Sequence, residues 1–126
     1  MNVIIKGMKK LIISGPRTCR KFTTVSNEIA KYIKEINGVD EIITGGSTGV
    51  DLIAKEYALQ NNIAYKEFAP NWQDDLNAAG LVRDARMAET GTHLLVLSNG
   101  ASKESRNLIA EAKKNNLVIK TIGYVE

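Results

Sequence analysis

The sequence predicts an α/β fold: a single Rossmann-like, doubly wound domain whose mostly parallel sheet of five or six strands carries helices on both faces. Two observations lead there. Short runs rich in Val, Ile and Leu alternate with longer segments of 3.6-residue apolar period. At three places, Gly15, 45–49 and Gly100, a strand-like run passes into a helix-like one through glycine-containing turn residues. The length of 126 residues suits one domain over 1–126, with a core from about 10 to 122.

Taken in order, residues 3–5 form a short apolar lead that can pair as a sixth strand, and Lys10–Ser14 is the first firm strand, closed by Gly15-Pro16-Arg17. Val25, Ile29, Tyr32, Ile33 and Ile36 then fall on one helical stripe, which Asn37-Gly38 stops. Glu41–Thr44 is the second strand. Turn 45–49 leads it into a helix with Val50, Ile53, Ala54, Tyr57 and Ala58 on one face, closed by Asn61-Asn62. A third strand covers 64–68, a loop follows around Pro70, Asn71 and Trp72, and a less apolar helix spans 77–89, begun or interrupted near Gly80. Segment 93–97 reads as a fully buried central strand turned by Asn99-Gly100. A helix over 105–115, with Leu108, Ile109 and Ala112 inward, and a last strand over 117–122 complete the series.

Composition removes several function classes. Hydrophobic residues make up 44% and charged residues 25%, values of an ordinary globular chain, and no apolar run nears the roughly 18–20 residues of a membrane span. No secretory h-region opens the sequence, so a cytoplasmic location is expected. One cysteine and one histidine provide neither a disulfide nor a Cys/His metal cluster, and no metal site is expected. The net charge of +3 comes from scattered basic pairs, a weak attraction for anions that makes nucleic acid a poor choice of partner.

Ligands of doubly wound sheets sit outside the carboxyl ends of the strands, which directs attention to the loops there. Thr44-Gly45-Gly46-Ser47-Thr48-Gly49-Val50-Asp51 joins a strand to a helix; its glycines admit a ligand close to the backbone, and the helix start favours an anion by roughly 0.3–1 kcal/mol. It matches neither the Walker A loop nor GxGxxG. The same residues also read as a capping box, Thr48 at the N-cap and Asp51 three residues on, with Asp51 able to accept ribose hydroxyls as well. Arg17, in the first turn, presents a fork of donors for phosphate or carboxylate, or for a surface ion pair. Cys19 lies among Arg17, Arg20 and Lys21, a setting that favours a thiolate. Trp72 is a base-stacking residue or a core or lid residue. Arg83 and Arg86 share a helical face from which one can reach a phosphate, or both can pair with Asp74 or Asp75. Ser102 and Ser105 are N-caps first and ligand contacts second, and His93, opening a buried strand, is a structural histidine.

Taken together, GPR at 15–17, GGSTGVDLIAKEYA at 45–58, FAPNW at 68–72, AAGLVRDARM at 78–87 and NGASKES at 99–105 resemble the YspA/YpsA-related branch of the SLOG superfamily. These Rossmann-like nucleotide-binding domains are distantly related to the Lonely-Guy phosphoribohydrolases and to DNA-processing protein A. The resemblance runs in order from about Lys10 to Ile122. It implies a nucleotide or nucleotide-sugar ligand, ADP-ribose-like or otherwise derived from NAD, touched by Gly15, Arg17, Gly45, Gly46, Gly49, Asp51, Arg83 and Gly100, and relatives often dimerise. The hydrolases carry a catalytic Glu in a Pro-Gly-Gly-x-Gly-Thr-x-x-Glu stretch; here Leu108 stands in its place, and a leucine has no acid, base or cation-stabilising chemistry. Asp84 likewise stands where close relatives often have Asn.

Three readings follow. The first is a binding or sensing module for a nucleotide or nucleotide-sugar, held through Gly15, Arg17, Gly45, Gly46, Ser47, Thr48, Gly49, Asp51, Trp72, Arg83, Gly100, Ser102 and Ser105. The second is a nucleotide hydrolase with Asp51 or Glu104 as its carboxylate. The third, single-stranded nucleic-acid binding, rests on the mild charge and Trp72 and requires steep salt dependence.

Overall fold

Strands and helices alternate without exception in the computed structural model, which describes residues 7–70, 78–99 and 105–124. The order is β1 (Lys10–Ser14), α1 (Phe22–Glu35), β2 (Glu41–Thr44), α2 (Val50–Gln60), β3 (Ala64–Glu67), α3 (Ala79–Thr90), β4 (His93–Ser98), α4 (Arg106–Lys114) and β5 (Val118–Gly123). All pairings are parallel, in the spatial order β3-β2-β1-β4-β5. Among the described residues the sheet has five strands; the candidate strand 3–5 lies outside them.

Strand alternation builds both layers. Leu11, Ile13, Ile42, Leu95 and Leu97 point to one face, where Val25 and Ile29 of α1 and Ile53, Ala54 and Ala58 of α2 cover them. Ile12, Ile43, Leu94 and Val96 point to the other, against Met87 of α3 and Leu108 and Ala112 of α4. A fully buried Leu or Ile contributes roughly 1.5–3 kcal/mol, so the two clusters fix the register and hold the helices to the sheet. The edge strands β3 and β5 are largely exposed, as their mixed sequences AYKE and VIKTIG require.

Three helices stop by one device. Asn37, Asn62 and Asn116 take left-handed φ values of 62°, 55° and 59° after α1, α2 and α4. The next amide then reaches a carbonyl five residues back: Gly38 to Ile33 at 2.8 Å, Ile63 to Ala58 at 2.9 Å and Leu117 to Ala112 at 3.0 Å. Asparagine tolerates this conformation better than most residues, which is why Asn37-Gly38 and Asn61-Asn62 marked the ends of α1 and α2 in the sequence.

Chain order positions the site. The path runs outward from β1 to β3, returns over the sheet through the segment holding α3, and resumes at β4 on the other side of β1. The loops after β1 and β4 therefore diverge, leaving a crevice at the carboxyl ends of the central strands.

Candidate functional site

A cleft of about 240 Å³ occupies that crevice, lined by the end of β1, the turn after β2, the first turn of α2, and α3 and α4. One wall is Ile13, Ser14, Gly15 and Arg17; the next is Gly45, Ser47 and Asp51; the third is Arg83, Asp84, Met87 and Leu108.

The first two walls are locked together at Gly49. Its φ of +71° is open to glycine, and a Cβ there would collide with the Pro16 carbonyl oxygen. In the space so left, the Val50 amide donates to the Pro16 carbonyl at 3.2 Å and the Thr48 hydroxyl donates to the Arg17 carbonyl at 2.9 Å. The capping box expected here therefore does not form: Gly49 occupies the N-cap of α2, no side chain caps the helix, and Thr48 is used to tie down the loop after β1.

Asp51 nonetheless reaches backward, its Oδ2 accepting the Ser47 amide at 3.2 Å. The side chain sits on the first turn of α2 with 7% of the residue exposed. Burial raises its pKa to about 6, against the smaller opposing pull of the Ser47 amide, the Arg83 guanidinium and the Gly45 amide. A carboxyl in this range can hold or release a proton close to neutrality.

Across the cleft Asp84, also 7% exposed, is matched by a cation. Arg83 Nε donates to Asp84 Oδ1 at 2.8 Å, and Asn107 Nδ2 donates to Asp84 Oδ2 at 3.1 Å. Arg83 Nη1 donates to the Gly45 carbonyl at 2.9 Å. Any side chain at residue 45 would strike this guanidinium, so Gly45 is small because Arg83 lies against it. Two anchors on one planar group fix its direction.

The sequence-derived candidates separate cleanly. Gly15, Arg17, Gly45, Ser47, Asp51 and Arg83 line the cleft together. Thr48 and Gly49 do not: they face a separate hollow of about 320 Å³ between the starts of α1 and α2. Gly46 shapes the turn without lining the cleft. Ser105 stands at the N-cap of α4 but makes no cap bond, because its hydroxyl pairs with Ser14 Oγ at 2.8 Å. It borders a larger hollow of about 400 Å³ between α4 and β5, which lacks the converging buried charges of the cleft. Trp72, Gly100, Ser102 and Glu104 lie outside the described residues, as do Asp74 and Asp75.

Three further residues fall outside the cleft. Cys19 is a core residue, 2% exposed, and its thiol cannot meet a ligand as a nucleophile. Arg86 is exposed and takes no part in the cleft, leaving Arg83 alone from that helical face. His93 opens β4 at the amino end of the sheet, remote from the cleft, with Nδ1 at 2.8 Å from Thr92 Oγ1; burial and then Lys9 lower its pKa.

Asp84 and Asn107 were not singled out as site residues. Asp84 carried a signal nonetheless: it interrupts the buried stripe Ala79, Asp84, Met87 and Ala88, and a carboxylate in such a stripe needs a partner. Leu108 faces the cleft and is 2% exposed, giving α4 an apolar contribution to the third wall.

Residues 9–74 match the family model described as the YspA, cpYpsA-related SLOG family. That span is more than half of the chain, and the chain belongs to this family. It includes the walls from β1 and β2 and stops before Arg83, Asp84 and Leu108. No curated protein matches the chain. Among solved structures it is similar to the molybdenum cofactor carrier protein MCP from Chlamydomonas reinhardtii, with 20% identity and a TM-score of 0.62 over 90% of this chain and 76% of that one. At that identity the likeness establishes a shared fold.

Proposed function

We propose that this SLOG-family chain binds a phosphate-bearing nucleotide or nucleotide-sugar, with the phosphate against Arg17, Arg83 and the turns at Gly15 and Gly45, and with Asp51 on a ribose hydroxyl. The observation that carries this reading is the Arg83 guanidinium, held by Asp84 and the Gly45 carbonyl at the mouth of a cleft with polar walls. An arginine fixed on two sides loses little freedom when it meets an oxyanion, which favours binding. The cleft, at about 240 Å³, falls below the roughly 300–1,000 Å³ of ordinary ligand pockets. On this reading the described walls enclose phosphate and sugar, and the base extends past them. Membership of the SLOG family and a fold neighbour that carries a cofactor support binding as the role.

The test is a thermal-shift screen of adenosine nucleotides, ADP-ribose and cyclic derivatives. At least one raises the Tm of the wild type, and Arg17→Ala and Arg83→Ala lose that shift. A panel that leaves the wild type unmoved removes the reading.

A second reading, hydrolysis of the ligand's N-glycosidic or phosphate bond, is favoured by Asp51, a carboxyl that faces the cleft and is tuned to about 6. Against it stands Leu108, which contributes no carboxylate from α4. Release of base or ribose phosphate by the wild type, lost in Asp51→Asn, establishes this reading; a ligand recovered intact after long incubation excludes it.

A further inference from the structure

We propose that Tyr65 is a positioning residue for the cleft, its hydroxyl fixing the Gly45–Gly46 peptide group through Thr44 and thereby the carbonyl that anchors Arg83. Tyr65 lies on β3, outside the cleft, and enters no part of the reading above except through this contact. Its phenol donates to Glu67 Oε1 at 2.8 Å. Burial pushes the phenol pKa upward, so the hydroxyl keeps its proton. With that proton committed, the 2.6 Å contact to Thr44 Oγ1 is donated by threonine. The threonine oxygen in turn accepts the Gly46 amide at 3.2 Å. All three bonds run one way, from the Gly46 N–H to the Glu67 carboxylate, a direction in which successive hydrogen bonds polarise and strengthen one another.

The peptide group at the start of this chain has two ends. Its N–H is the Gly46 amide held by Thr44, and its C=O is the Gly45 carbonyl that accepts from Arg83 Nη1 at 2.9 Å. A planar trans peptide directs these groups oppositely, so fixing one fixes the other. The next amide, Ser47, faces Asp51 at 3.2 Å. Thr44 is fully buried, and the Glu67 carboxylate lies within 2.9 Å of where a Cβ on Gly46 would stand, so the turn is closed from below. Lys55 Nζ lies 3.9 Å from Glu67 Oε1 and 5.8 Å from the Tyr65 ring centre, keeping the outer end of the chain in place.

Two measurements on the full chain test the inference. The first needs no ligand: solvent exchange of the Gly46 amide and of the Arg83 Nε–H, followed by NMR. Tyr65→Phe and Thr44→Val raise both rates about tenfold, the scale of one lost buried hydrogen bond, while amides of the central strands β1 and β4 keep theirs. Thr44→Ser keeps the hydroxyl and the wild-type rates. Unchanged rates in Tyr65→Phe, or Thr44→Ser behaving like Thr44→Val, overturn the proposal; if Tyr65→Phe fails to fold, the threonine pair decides alone. The second is the affinity for adenosine 5′-monophosphate, which rests on the reading of the cleft as a phosphate site. It falls about tenfold in Tyr65→Phe and is retained in Thr44→Ser. Equal affinity in wild type and Tyr65→Phe contradicts the positioning role. A wild type that ignores this nucleotide counts against that choice of ligand, while the exchange rates still decide the role of Tyr65.

Discussion

The α2 wall and the α3 wall of the cleft each bury one carboxylate to the same degree, and they use it in opposite ways. Asp84 faces the Arg83 guanidinium and an Asn107 amide, so its charge is matched and it serves to aim the arginine. Asp51 rests on backbone amides, burial outweighs them, and its pKa stands at about 6. Equal burial therefore yields an anchor on one side and a proton-exchanging group on the other, and the difference lies in whether a cation's donors reach the oxygens. On the proposed reading, a ligand between the walls meets the Arg83 guanidinium opposite the Asp51 carboxyl.

Removing the arginine breaks the comparison most severely. Arg83→Ala leaves Asp84 buried without its cation and lowers stability by about 3–5 kcal/mol, seen as a fall in the denaturation midpoint, together with loss of nucleotide binding. Adding Asp84→Asn restores much of the stability and none of the binding; recovery of both would show that Arg83 acts only as a counter-ion.

Asp51→Asn acts in the other direction. Because the folded-state pKa is raised above the ordinary 3.8, the folded chain binds more protons than the unfolded one between about pH 4 and 6, and stability contributed by this group falls as pH rises through that window. The amide removes the penalty. The variant gains up to about 3 kcal/mol at pH 7 and loses the slope between pH 4 and 6 in denaturant titrations. Destabilisation at pH 7 would show that the charged form is the one the fold is built around.

Gly49→Ala perturbs the α2 wall without changing its chemistry. The strained φ and the collision with Pro16 lower stability by about 2 kcal/mol and displace the loop carrying Arg17. The smallest effect is expected on the exposed side of α3: Arg86→Ala changes stability by less than about 0.5 kcal/mol and leaves nucleotide affinity intact.

Much of the fold and part of the cleft lining were legible in the chain itself. Apolar periodicity located β1 and β2 to the residue, and Asn37-Gly38 and Asn61-Asn62 located the ends of α1 and α2, because the cause of each is local. Glycines and Arg17, Asp51 and Arg83 marked the cleft, since strand order alone brings the turns after β1 and β2 together. What stayed hidden depends on three-dimensional neighbours. Thr48 fits a capping box in sequence, yet the carbonyl of Arg17, 31 positions away, takes its hydroxyl. Ser105 loses its capping role to Ser14 across 91 positions. The cations around Cys19 suggested reactivity, but local charge does not report that the thiol turns into the core. Asp84 and Asp51 both read as acidic residues of predicted helices; what separates them is Arg83 Nε on Asp84 and the packing of α3 against α4, which places Asn107 within reach.

The most direct test of the central claim is an NMR titration of the wild type with adenosine 5′-monophosphate and ADP-ribose, following backbone amides. At least one of the two shifts Gly15, Gly45, Ser47 and Asp51, and saturates, while signals around the α4–β5 hollow near Ile109 and Thr121 stay in place. Perturbation confined to that hollow, or none from either nucleotide at millimolar concentration, would contradict the assignment of the cleft as a nucleotide site.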